Sequence, residues 1–261
     1  FLKVELSRHC KVNCLYCRPE KAEQFFPLEE FSRLLELLKR HLLMVQLYEV
    51  GEPLHHPAIL ECIRVAHAAG VATVISTSLS FEKDEAFWRE LPRTGLDLLI
   101  VAIDGVAKET YQKYRRDGDL DLVMRNLSSV LRYRRETGAA MKIEWQMIDL
   151  PWNRSEQLAA RQLSVELGCD RFRVIREAIS ARCEYGQRRV TRQRCCIWPY
   201  VLFLVDAYGN VVPCFKPDCR PGVVGQLHAE TYAEIWNGTN MRQLRGFESL
   251  AKREGCSTCQ E

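Results

Sequence analysis

The stretch Leu2-Lys-Val-Glu-Leu-Ser-Arg-His-Cys10-Lys-Val-Asn-Cys14-Leu-Tyr-Cys17 sets a short apolar run directly before a Cys-x3-Cys-x2-Cys spacing. Three thiolates so spaced suit a [4Fe–4S] cube with one iron left without a protein ligand, open to bind and activate a small molecule. A structural zinc site takes four ligands and usually pairs two Cys-x2-Cys knuckles, so one knuckle with an extra Cys upstream fits it poorly. His9 adjoins Cys10, and adjacent residues rarely reach the same ion. A disulfide framework is not needed either, because 261 residues at 47% hydrophobic bury a sizeable core without covalent staples.

Outward from this stretch, short apolar runs alternate with longer amphipathic ones. Strands are predicted at Leu2–Leu6, Leu43–Glu49, Val71–Ser76, Leu96–Ile103, Met141–Ile148 and Arg171–Arg176, all rich in Val, Ile, Leu or aromatic residues. Between them, Leu28, Phe31, Leu34, Leu35 and Leu38 share one helical face. Pro57 opens a helix that Gly70 closes, and Asn153 with Glu156 reads as a capping box. Six βα units call for an α/β fold, a partial (β/α)6 TIM-like barrel whose chemistry gathers at the C-terminal ends of its strands.

Composition narrows the function classes. A formal charge of +3 is too small to argue for nucleic acid. Phe1–Leu6 lacks the basic flank and length of a signal peptide, and no run is long enough to span a membrane, so a cytoplasmic protein is expected. Twelve cysteines are many for an ordinary cytosolic enzyme and point to metal rather than to oxidised pairs.

The thiol spacing, with Tyr16 just before the last Cys, resembles the signature of radical S-adenosylmethionine enzymes. Gly51-Glu52-Pro53 is similar to that family's Gly-Gly-Glu-Pro turn, with Val50 in place of the first Gly. Ile103-Asp104-Gly105 resembles its Ser-x-Asp-Gly element, with Ala102 where Ser is common. The resemblance implies that a cluster on Cys10, Cys14 and Cys17 chelates S-adenosylmethionine, and that an electron from a donor such as flavodoxin or ferredoxin cleaves it to a 5′-deoxyadenosyl radical. It further implies that Tyr16, Gly51, Glu52, Pro53 and Asp104 contact this cofactor, the turn at the methionine amino group and Asp104 near the ribose. A basic group at the end of the sixth strand, Arg173 or Arg176, would meet its carboxylate.

The pattern changes after Arg176. Residues 1–180 read as the barrel, 181–194 as an Arg-rich linker and 195–261 as a small second domain. In it a hairpin is predicted with strands Val201–Asp206 and Val211–Cys214 about a Tyr208-Gly209-Asn210 turn, followed by helices at Tyr232–Trp236 and from Met241 to Arg253. Cys196, Cys214 and the closing Cys256-x2-Cys259 resemble the SPASM domain or its shortened relative, the twitch domain, which implies an auxiliary [4Fe–4S] cluster on these four thiolates. Cys195 is the alternative to Cys196, and a zinc ribbon could use the same four thiols.

On the fifth strand Glu144 and Gln146 alternate with Trp145 and would suit hydrogen bonding to a hydroxylated substrate if they face the pore. His55 and His56 could serve as bases. Cys183 could donate a hydrogen atom if the reaction inverts a carbon centre. The resemblance favours oxidation of a small molecule, an amino sugar, cyclitol or natural-product precursor. The alternatives are cross-linking or epimerisation of a ribosomal peptide, and a non-enzymatic iron–sulfur or zinc protein.

Overall fold

The computed structural model describes residues 1–17, 22–175, 197–214 and 222–246. In chain order its strands are β1 (Leu2–Val4), β2 (Asn13–Cys14), β3 (Met44–Gln46), β4 (Ala72–Thr77), β5 (Leu98–Ala102), β6 (Arg115–Arg116), β7 (Lys142–Ile148), β8 (Arg171–Ile175), β9 (Phe203–Val205), β10 (Asn210–Val212) and β11 (Gly225–Gln226). The helices are α1 (Leu28–Leu38), α2 (Ile59–Ala68), α3 (Glu85–Glu90), α4 (Lys108–Tyr114), α5 (Leu120–Thr137), α6 (Gln157–Leu167), α7 (Trp198–Val201), α8 (Tyr232–Trp236) and α9 (Thr239–Gly246).

β1, β3, β4, β5, β7 and β8 lie side by side and all parallel, with α1, α2, α3, α4–α5 and α6 in the connections. These are the six parallel strands the sequence predicts, with helices in the five connections between them, and the fold is an α/β partial barrel. On the other side of β1 the sheet continues through β9, parallel to β1, and then through antiparallel β10 and β11. Among the described residues no helix is long and apolar enough to cross a membrane.

One face of the parallel sheet carries the core. Leu2, Val4, Val45, Ile75, Leu99, Val101, Ile143, Trp145 and Met147 pack with Phe31, Leu35, Ile59, Ile63, Val123 and Leu127 of the helices. Each such side chain contributes about 1.5–3 kcal/mol on burial. Because strand side chains alternate, Lys3, Gln46, Ser76, Glu144, Gln146, Arg171 and Arg173 are turned to the opposite face, away from the helices.

Four expectations change in detail. Val201 ends α7, begun by Trp198 and Pro199, so the strand starts only at Phe203; Cys214 lies past β10 rather than in it. The stretch before α2 is a short 3₁₀ turn at Pro53–His55, and α2 begins at Ile59, closing as expected at Gly70 with φ +72°. Asn153 and Glu156 form no capping box. Asn153 is fully buried, and its amide donates to Asp104 O and Ile148 O and accepts from Leu150 N, tying the ends of β5 and β7 together. Glu156 instead accepts from Val106 N in the loop after β5, at 2.7 Å. The last expected helix starts at Thr239, and its stretch beyond Gly246 lies outside the described residues.

Candidate functional site

The chain leaves the C-terminal end of β1 and enters the thiol loop. Within that loop β2 pairs antiparallel with β6, setting Cys14 opposite Arg115 and Asn13 opposite Arg116. Leu15 N donates to Tyr114 O at 2.8 Å, and Cys17 N to Cys14 O at 3.2 Å, so the spacing becomes a turn braced on the end of α4. Tyr16 lies against Tyr114 with ring centroids 6.1 Å apart. Cys10, Cys14 and Cys17 are all partly exposed thiols, none in a disulfide.

Among the described residues no three His, Cys, Asp or Glu side chains converge tightly enough for a single metal ion. In a cubane with three protein thiolates each thiolate binds a different iron. The soft donor set in one loop, backed by a turn packed too closely for any side chain, fits the cluster that the spacing implies.

That turn is Gly51-Glu52-Pro53. A Cβ on Gly51 would stand 1.9 Å from Ser7 O and 2.8 Å from the Arg8 backbone, so only glycine permits the two loops to touch. Glu52 N donates to His9 O at 2.9 Å, Val50 N to the Glu5 carboxylate at 3.3 Å, and the Cys17 thiol lies 3.9 Å from Val50 O. The Glu52 side chain points inward instead. It is buried, and its carboxylate accepts from Thr77 Oγ1, Ser78 N, Ser78 Oγ and Leu54 N at 2.7–3.3 Å, which fastens the turn to the end of β4. Burial pushes its pKa up while these donors pull it down. What the turn can offer a ligand is therefore backbone.

Asp104, at the end of β5, is fully buried. One carboxylate oxygen accepts from Ile148 N at 2.7 Å and the other from Arg115 Nε at 2.7 Å. Arg115 was not singled out by the sequence. Although burial opposes its charge, Asp104 and then Cys14 raise its pKa above the ordinary arginine value. An aspartate in an apolar strand end needs a cation, and that need was the one available signal.

Glu5, also missed, joins the thiol loop to the hairpin: its carboxylate accepts from Val50 N and, at 3.2 Å, from Ala207 N, and it pairs with Arg8 at 3.3 Å. Burial raises its pKa, with Arg8 working against that. On β7 and β8, Glu144 accepts from Arg173 Nε at 2.8 Å and Arg171 at 3.3 Å, and Gln146 accepts from Arg173 at 2.6 Å. Glu144, Gln146, Arg171 and Arg173 thus share the face turned away from the helices, with Glu144 buried and both arginines exposed. Arg176, Cys183, Cys195, Cys196, Cys219, Cys256 and Cys259 lie outside the described residues, leaving Cys214 as the one auxiliary ligand candidate described. Cys62 is a buried core thiol, its pKa pushed up to about 12 by burial.

Of the two histidines, His55 sits against His9 with centroids 4.7 Å apart, and burial lowers its pKa to about 4. His56 is structural: Nε2 donates to Phe26 O at 2.9 Å, and Nδ1 accepts from Ala58 N at 3.1 Å. Burial lowers the His56 pKa below the ordinary 6.5, so its contribution to stability is whole above 6.5 and is lost as pH falls from there through the lowered value. Protonated Nδ1 cannot accept. Unfolding free energy is expected to drop between pH 7.5 and 5.5 and to drop less in His56→Gln, the difference being at most the about 1 kcal/mol one hydrogen bond carries; equal slopes in both proteins would refute this role.

Residues 195–260 match the family model of the SPASM iron–sulfur cluster-binding domain. Upstream, the chain is 28% identical over 135 residues to the GTP 3′,8-cyclase of Chlorobaculum tepidum, covering 50% of this chain and 41% of that protein. The match thus spans about two-fifths of that relative's length. Among solved structures, Streptococcus suis SuiB bound to precursor peptide SuiA superposes with TM-score 0.71 at 12% identity, over 94% of this chain and 66% of that one. BtrN in complex with AdoMet and 2-DOIA superposes with TM-score 0.61 at 17% identity, over 100% of this chain and 92% of that one.

Proposed function

We infer the activity from the family: this chain belongs to the radical S-adenosylmethionine superfamily and carries a SPASM iron–sulfur domain at residues 195–260. We propose that it oxidises a small hydroxylated substrate. Cys10, Cys14 and Cys17 would hold a [4Fe–4S] cluster that, with S-adenosylmethionine bound, would supply one-electron cleavage of that cofactor and hence hydrogen-atom abstraction, and Cys196 (or Cys195), Cys214, Cys256 and Cys259 would hold an auxiliary cluster able to take up one electron from the substrate.

The chain's own residues do the positioning. The backbone of Gly51-Glu52-Pro53, held against Ser7–His9, presents carbonyls to a cofactor ammonium group, and Tyr16 flanks it from the thiol loop. Arg173, or Arg176 beyond the described residues, meets a carboxylate. Glu144 and Gln146 offer acceptors to substrate hydroxyls, and Glu144 takes the hydroxyl proton as the carbon becomes a carbonyl. The observation that carries the reading is the close seam between the thiol loop and the Gly51 turn, at the C-terminal ends of β1 and β3. The polar face of Glu144, Gln146 and Arg173 supports a hydroxylated substrate.

Reduced, anaerobically reconstituted protein should release 5′-deoxyadenosine from S-adenosylmethionine and contain about eight irons per chain. Absence of both would leave an iron–sulfur or zinc protein without this activity. A polyol deuterated at the reacting carbon should transfer its label to 5′-deoxyadenosine.

A second reading, peptide modification, draws support from the likeness to SuiB, which is bound to its precursor peptide. Cys183→Ala separates an epimerase from a dehydrogenase. In an epimerase the variant still cleaves cofactor but forms no inverted product, whereas a dehydrogenase is indifferent to it. Flavodoxin or ferredoxin is the proposed electron donor.

A further inference from the structure

At the mouth of the sheet Arg115 is a largely buried cation that none of the roles above uses. Arg115 stands opposite Cys14 across the β2–β6 pair, and directly opposed residues in an antiparallel pair extend their side chains to the same face with Cβ atoms about 4.5–5.5 Å apart. Its guanidinium is held from behind: Nε donates to Asp104 at 2.7 Å, with the arginine side chain only 12% and the aspartate 0% exposed. The second Asp104 oxygen is fixed by Ile148 N at 2.7 Å, so the arginine is anchored on β5 and β7 together. Its neighbour Tyr114 receives Leu15 N of the thiol loop. A charge so anchored cannot swing away to solvent.

We propose that Arg115 is a positioning residue that sets the charge at the Cys14 corner of the thiol loop, with Asp104 as its counterion. A cluster on Cys10, Cys14 and Cys17 becomes more negative by one charge when it accepts an electron from an external reductant; one electron is transferred and no bond forms or breaks. A buried positive charge beside Cys14 favours the more negative state, and Asp104 tempers that effect, because charges in a water-poor site interact far more strongly than in bulk. Asp104 accordingly acts on the potential through Arg115, which it fixes with one oxygen while the other holds Ile148 N. Arg115 thereby makes a low-potential centre reducible by a physiological donor.

The proposal rests on the radical S-adenosylmethionine reading, and the test separates the two. The reconstituted full chain is titrated with dithionite in the presence of mediators, following the electron paramagnetic resonance signal that changes on adding S-adenosylmethionine, with iron content measured alongside. If the unaltered protein shows no such signal, the family reading of the loop fails. If it does, Arg115→Gln should make reduction at least tenfold less favourable, about 59 mV for one electron. Arg115→Lys, which keeps the charge, should change it less than threefold, and Asp104→Asn should shift it the opposite way from Arg115→Gln. A structural role alone would not give opposed signs. Unchanged potentials, or Arg115→Gln and Asp104→Asn shifting together at full iron content, overturn the proposal. Should Arg115→Gln fail to fold, the remaining pair decides: a raised potential in Asp104→Asn with Arg115→Lys near the unaltered protein supports the proposal, and any other result overturns it.

Discussion

Cys14→Ala is expected to abolish 5′-deoxyadenosine formation and to remove the iron of the N-terminal site while leaving the chain folded. Cys14 lies on β2, partly exposed, and supports no core packing, so its loss costs little stability. Its loss as a ligand costs more than the roughly 10- to 100-fold penalty that changes in outer-sphere partners bring to metal affinity or activity. Cys10→Ala and Cys17→Ala should behave alike. Cys62→Ala is the control, because that thiol is buried in the core between α2 and the sheet. It should lower the thermal midpoint and leave iron and cofactor cleavage intact. Retention of full cleavage by Cys14→Ala would end the radical reading.

Gly51→Ala should damage the same activity without touching a ligand. The new Cβ meets Ser7 O at 1.9 Å and Arg8 backbone at 2.8 Å, and neither is the movable end of a side chain. The Gly51 turn must therefore back away from the segment that delivers Cys10, breaking the Glu52 N to His9 O bond. Overpacking of this kind costs about 1–3 kcal/mol. Thermal melting should show that loss, and iron retention after desalting should fall with it. Gly246→Ala is the comparison, since a Cβ there meets nothing within 4 Å, and its melting should be unchanged or slightly raised. A Gly51→Ala protein with normal iron and normal cleavage would show that the seam does not position the thiols.

Much of this architecture was legible in the sequence because its signals are local. Runs such as Leu96–Ile103 and Met141–Ile148 announce strands by composition, and the thiol spacing announces its chemistry by count. What stayed hidden depends on residues distant in the chain. Arg115 gains its meaning only when β6 folds back on β2 and meets Asp104. Glu5 sits within an apolar run of the sequence and looks like a polar interruption until Val50 and Ala207 close around it. Asn153 and Glu156 carried a true local capping pattern, but the fold needed the asparagine amide between the ends of β5 and β7, and that tertiary requirement outweighed the cap.

The parallel pairing of β9 with β1 bears on how such chains can be recombined. The first strand is shared property: one edge bonds to β3, the other to the C-terminal hairpin, and its own end feeds the thiol loop. The hairpin turn is also riveted to that loop, through Ala207 N to Glu5 and through Gln24 to Ala207 O. A chimera that grafts a foreign tail after residue 196 would meet a mismatched seam unless Leu2–Arg8 and Gln24 travelled with it. The N- and C-terminal parts thus form one continuous seam, although most of the chain separates them in sequence.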